Sequence, residues 1–186
     1  MIYQMTARSL LFMCLLYSSE SHATLRDFGD AMQIVNPAIA LLTASQEKGV
    51  GHFAIIYGEI EAISQGAKYI GNQSQWNLGQ RPCCSQNYEG MPSGHTASAW
   101  SGAAYVRTFS HDYTYLMLPL YASSVATAYS RVRASQHTTG QVVAGALLAE
   151  AVTFFNYKLK WSQNYQPRLM FSYGEKQSLL QFLIKF

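Results

Sequence analysis

The chain is short of charge. Only 12% of its 186 residues are Asp, Glu, Lys or Arg, and the formal net charge is +3. It has no basic run and no interleaving of basic with aromatic residues, which excludes an electrostatic nucleic-acid interface. Long apolar runs are also missing. The longest uncharged stretch, Tyr113 to Ser130, contains Pro119 and several Ser, Thr and Tyr residues. It predicts a buried helix, because a bilayer span needs about 20 apolar residues. Cysteine is scarce, and two of the three, Cys83 and Cys84, are adjacent. Adjacent cysteines bridge only with backbone strain, and two thiols without a second Cys or His pair nearby do not make a zinc site. They read as two thiols, or one strained bridge, shaping a loop. What the chain does have is apolar material, 49% by count, enough to build the core of one domain.

The N-terminus carries a secretory pattern. Arg8 gives a positive n-region, Ser9 to Tyr17 an apolar h-region, and Ser21-His22-Ala23 a small-x-small cleavage site. This predicts a signal peptide over residues 1–23, followed by a helical domain over 24–160 and a tail over 161–186 packed on it. Export to the periplasm or exterior follows, with Cys83 and Cys84 left in the mature chain. Within the domain, apolar spacing predicts a helix from Leu25, interrupted or restarted at Asn36-Pro37 because the residue before proline is steered out of the α region. A second run, Ala38 to Ala44, ends in a polar turn at Ser45 to Gly49. Phe53 to Gly71 reads as a helix with Ile55, Ile56, Ile60, Ile63 and Ala67 on its apolar side. Asn72 to Met91 is a long polar loop, and loops of that length are usually functional. Thr96 to Phe109 and Thr138 to Tyr157 are helices lined with small residues, and the tail from Arg168 reads as a short helix or strand.

Three polar clusters stand out against this apolar background: Arg81-Pro82, Pro92-Ser93-Gly94-His95, and Ser130-Arg131 with His137 six positions later. Two histidines, two arginines and a Ser-Gly turn are parts for gripping and transferring a phosphoryl group. Its transition state carries negative charge on the equatorial oxygens, so positioning and positive charge do most of the catalysis. Arginine offers a forked donor pair that lysine cannot reproduce. The N-terminus of the helix after Ser93-Gly94 offers backbone N–H groups to an anion.

Lys68, Arg81-Pro82, Pro92-Ser93-Gly94-His95 and Ser130-Arg131-x5-His137 together resemble the three signature motifs of the type-2 phosphatidic acid phosphatase superfamily. Gly29-Asp30-Ala31-Met32-Gln33-Ile34 and Ser101-Gly102-Ala103-Ala104 are similar to segments of its small exported bacterial members, so the likeness runs from about Asp30 to Glu150. The resemblance implies an all-α bundle of about five or six helices, of the type shared with vanadium haloperoxidases, with the motif residues converging at one end. It implies His137 as the nucleophile that forms a phosphohistidine, and His95 as the general acid. Lys68, Arg81, Ser93, Gly94 and Arg131 would bind the phosphate, with neither metal nor cofactor. Two departures are visible. Twelve residues lie between Lys68 and Arg81, a longer gap than the common family pattern. Gln141 also stands where the family has an aspartate, four residues after the nucleophile and on the same helical face. As a catalytic residue it can accept a hydrogen bond from His137 but brings no charge.

The implied function is a metal-independent phosphatase acting on a phosphomonoester or pyrophosphate, lipid-linked, with peripheral membrane contact. A soluble acid phosphatase of broad specificity, a vanadate-dependent haloperoxidase, and a catalytically weak protein binding phosphate or lipid head groups are the alternatives.

Overall fold

The computed structural model describes residues 24–160 in full, and the backbone of residues 168–174 and 177–183. The expected signal peptide, and the way the tail packs, lie outside the described residues. Residues 24–160 are all-α, with five helices: α1 Leu25–Glu47, α2 Val50–Gln73, α3 Gly94–Phe109, α4 Met117–Arg133 and α5 Thr139–Leu159. Short 3-10 turns at Asn77–Gly79 and His111–Leu116 punctuate the connections. In the tail, strands β1 Arg168–Gly174 and β2 Gln177–Leu183 pair antiparallel, with Gly174 opposite Gln177.

Helix α1 starts at a reciprocal cap. The Thr24 hydroxyl accepts from the Asp27 N–H at 3.3 Å, and the Asp27 carboxylate accepts from the Thr24 N–H at 2.8 Å. The interruption expected at Asn36-Pro37 does not occur; α1 runs through Pro37. Proline deprives the carbonyl four residues earlier of its donor. That carbonyl, on Gln33, is supplied instead by the Ser98 hydroxyl of α3 at 2.6 Å. Buried Asn36 reinforces the spot by donating to the Ala99 and Leu120 carbonyls and to Ser124 Oγ. The apparent breaker is therefore a bolt between α1, α3 and α4.

Helix α3 is the axis of the bundle and packs against all four other helices. Its small residues allow this, since Ala97, Ala99, Ala103 and Ala104 are wholly buried and let neighbouring backbones approach. Around it the core takes Ala40 and Ala44 from α1, Phe53, Ile56 and Ile60 from α2, Leu120 from α4, and Ala149 and Val152 from α5. Ile56 and Ile60, both fully buried, are each worth about 1.5–3 kcal/mol. The inward face of α2 differs from the expected one: Ser64 and Gly71 are buried and Ile63 is half-exposed. At Gly71 the cause is the loop after α2, which folds back over the helix end so that the Tyr88 carbonyl lies 3.1 Å from where a Cβ would be. Cys83 and Cys84 are free, exposed thiols on this loop.

Candidate active site

The loop of residues 74–93, the start of α3 and the turn between α4 and α5 meet at one end of the bundle. Gln141, at the third position of α5, joins them. Its backbone carbonyl accepts from the Ser93 N–H at 2.9 Å. Its side-chain Nε2 donates to the carbonyls of Leu78 and Gln80 at 2.9 and 2.8 Å. Two carbonyl partners fix the orientation of the amide, so Oε1 must face the other way. There it accepts from the Thr138 N–H at 3.2 Å, closing a capping box with Thr138, and from His137 Nδ1 at 3.1 Å. Both donors and both acceptor sites of this buried amide are thus filled.

His137 Nδ1 has a second partner, the Gly90 carbonyl, at 2.9 Å. Both partners only accept, so Nδ1 carries the hydrogen and Nε2 keeps its lone pair. The ring is 4% exposed. Burial pushes its pKa down to about 4, aided by Arg81 and opposed by the bonds from Gln141 and Gly90. The result is a neutral imidazole with one defined basic nitrogen. Gly90 is there because the carbonyl must come close: a Cβ would sit 2.6 Å from both amide atoms of Gln141.

His95, on the first turn of α3, is held differently. Its Nε2 donates to Asp30 Oδ1 at 2.9 Å, and the same oxygen accepts from Arg131 Nη1 at 2.7 Å. Burial lowers the His95 pKa first and Arg131 adds to that, while the Asp30 carboxylate works against both. Arg131 is buried and heavily engaged. Its Nε donates to Ser130 Oγ at 3.1 Å and its Nη2 to the Arg26 carbonyl, so much of its fork braces α1 and Asp30.

The other expected phosphate ligands fall around these two rings. Lys68, from α2, lies directly over Gly94; a Cβ there would meet its Nζ at 2.7 Å. Burial lowers the Lys68 pKa against the pull of Glu61. Arg81 donates through Nη2 to the Glu89 carbonyl at 3.3 Å, while its buried Nε has no hydrogen-bond partner in the protein. The charges of Arg81 and His95 act on His137, and those of Arg131 and Lys68 act on His95. Ser93 is held from two sides. Its N–H is taken by the Gln141 carbonyl and its hydroxyl accepts from Thr96 Oγ1 at 3.2 Å. The N–H groups opening α3 at Gly94 and His95 are the ones an α-helix leaves without intrahelical partners.

Two functional groups were missed by motif reading. Asp30 lay in a segment noted only for its likeness, and nothing local marks a carboxylate on the second turn of α1 as special. The Gly90 carbonyl is invisible to any search of side chains. The wiring of Gln141 did leave a signal, because Thr138-x-x-Gln141 is a capping-box pattern. Among the described residues, no three His, Cys, Asp or Glu side chains are grouped to hold a metal ion.

The PAP2 superfamily model matches residues 62–165 of this chain. A lipid A 4'-phosphatase of Helicobacter pylori (strain J99 / ATCC 700824) is 29% identical over 171 residues, covering 86% of this chain and 80% of its own length. No solved structure matches.

Proposed function

The chain belongs to the PAP2 superfamily, and from the geometry of its site we propose that it is a phosphatase of lipid-linked phosphomonoesters or pyrophosphates working through a phosphohistidine. The observation that carries this reading is the bare Nε2 of His137, created by two acceptors on Nδ1. That lone pair attacks phosphorus while the bond to the leaving oxygen breaks, and His95 supplies the proton the leaving oxygen needs. With its Nε2–H directed at Asp30, His95 acts from its imidazolium form, delivering from Nδ1 and remaining neutral with the Nε2–H in place. A water then attacks the phosphohistidine and returns a proton to His95. The P–N bond breaks, releasing phosphate and neutral His137. Arg81 Nε, Lys68 and the opening turn of α3 supply the positive charge that the transferring group requires.

A lipid-borne substrate is supported by the rim of the site and by the similarity to a lipid A 4'-phosphatase. Tyr69 and Ile70 follow Lys68 directly, Trp76 and Leu78 precede Arg81, and all four are exposed. Such a rim suits peripheral contact with a membrane at the periplasmic face. Helix α5 is by length and composition the one described helix able to cross a membrane, but its Val142, Gly145, Ala149 and Val152 belong to the buried interior.

The test is phosphate release, with EDTA present, from p-nitrophenyl phosphate, phosphatidic acid, undecaprenyl pyrophosphate and lipid A. Release that falls by roughly 10³-fold or more in His137→Ala is expected. Equal release by wild type and variant would sink the mechanism.

A further inference from the structure

Beside the site lies an open cavity of about 240 Å³. It shares His95, Lys68 and Gly94 with the phosphate site, whereas His137, Arg81 and Arg131 do not line it. In phosphoryl transfer the nucleophile and the leaving oxygen lie roughly in line on opposite sides of phosphorus. A cavity bordered by the acid and not by the nucleophile is therefore on the departing side. Resting on the phosphatase reading above, we propose that this cavity receives the leaving group, and that the group it suits is a hydroxyl-rich ring, as in a sugar phosphate.

The chemistry of the walls carries the choice of ring. Tyr57, Glu61, Gln65 and Lys68 recur at helical spacing and form one polar stripe of α2 facing the cavity. Opposite them stand Gln33 of α1 and Ser98 of α3. The Ser98 hydroxyl donates to the Gln33 carbonyl at 2.6 Å, so its oxygen receives Tyr57 Oη at 2.9 Å. Tyr57 and Gln65 each stand one helical turn from Glu61, and Lys68 acts on it electrostatically. Amides, a phenol and a carboxylate offer a ring of hydroxyls both donors and acceptors. An acyl chain there would strip these groups of water and return nothing. Ile34 provides a single aliphatic surface, enough for the C–H face of a sugar ring and too little for a hydrocarbon tail. The apolar rim around Tyr69, Ile70, Trp76 and Leu78 lies outside this lining, so the sugar and lipid portions of one substrate would rest on separate surfaces.

Binding can be read without turnover. The His137→Ala protein would be titrated calorimetrically with glucose 6-phosphate, glycerol 3-phosphate, hexyl phosphate and inorganic phosphate. Glucose 6-phosphate is expected to bind roughly 10-fold more tightly than glycerol 3-phosphate, about the effect of one or two net hydrogen bonds. Adding Gln65→Ala or Gln33→Ala, with melting temperature unchanged, should bring that ratio to about 2 or below. Equal affinities for the two phosphates, a ratio unmoved by both variants, or preference for hexyl phosphate would each overturn the proposal. If the wild-type enzyme released no phosphate from any substrate, the catalytic reading would fall, while the affinity ratio would still decide what the cavity holds.

Discussion

The two histidines of the candidate site are held by opposite means. His137 is sealed among neutral acceptors, a backbone carbonyl and a glutamine amide, and burial leaves it uncharged. His95 is partly open to solvent and rests on a carboxylate that also grips Arg131. In the proposed mechanism the nucleophile needs an available lone pair and the acid a retained proton; neutral surroundings suit the first, while at the second the Asp30 carboxylate works against the burial and the Arg131 charge that lower its pKa. Side-chain identity alone does not separate these roles, since both residues are histidine. The environment does.

Acid should break the comparison most severely, and from the His137 side. His137 and the buried core residue His52 are both pushed down to about 4, chiefly by burial. Their folded pKa values lie below the unfolded value near 6.5. The unfolded chain therefore gains protons first as pH falls, and stability present above pH 6.5 is lost down to about pH 4. The ceiling is about 3 kcal/mol per histidine, at about 1.36 kcal/mol for each tenfold change in proton affinity. Thermal melts between pH 7 and 4 should show a steep fall that flattens in His52→Gln; a flat wild-type profile would contradict the assigned burial effect.

Asp30→Asn attacks the other side. The carboxylate raises the His95 pKa, so its loss should move the basic limb of the kcat/KM profile to lower pH. A rate loss of roughly 10²-fold at neutral pH should accompany it, the scale of one general acid. An unmoved limb would mean that His95 is not the proton donor.

Gln141→Glu sharpens the contrast with a smaller effect. It adds the charge expected at this position but removes the two donors that hold the Leu78 and Gln80 carbonyls. The lost bonds should outweigh the gained charge, with kcat falling roughly tenfold. A carboxylate would favour the imidazolium, so the acidic limb should rise above pH 4. A faster enzyme would show that the amide is merely a tolerated substitute.

How much of this could be read from the chain follows from what holds each part. The helices were legible because apolar and small residues recur at helical spacing, and the two histidines and two arginines because few other residues serve their chemistry. Pro37 misled because its remedy, the Ser98 hydroxyl, is 65 residues from the carbonyl it satisfies. Asp30 was illegible for the same reason, being 65 residues from His95 and 101 from Arg131. Gln141 read as a loss of charge because its gains are bonds to backbone carbonyls, which no side-chain pattern records.

The adjacent thiols of Cys83 and Cys84 give the molecule a built-in observation post. They are solvent-facing and follow Arg81 by two and three residues, on the loop whose Leu78 and Gln80 carbonyls hold the Gln141 amide. A fluorophore coupled to either thiol, with the other changed to serine, would sit outside the chemistry yet travel with that loop. Stopped-flow emission from it would report whether that loop responds to substrate before phosphate is released.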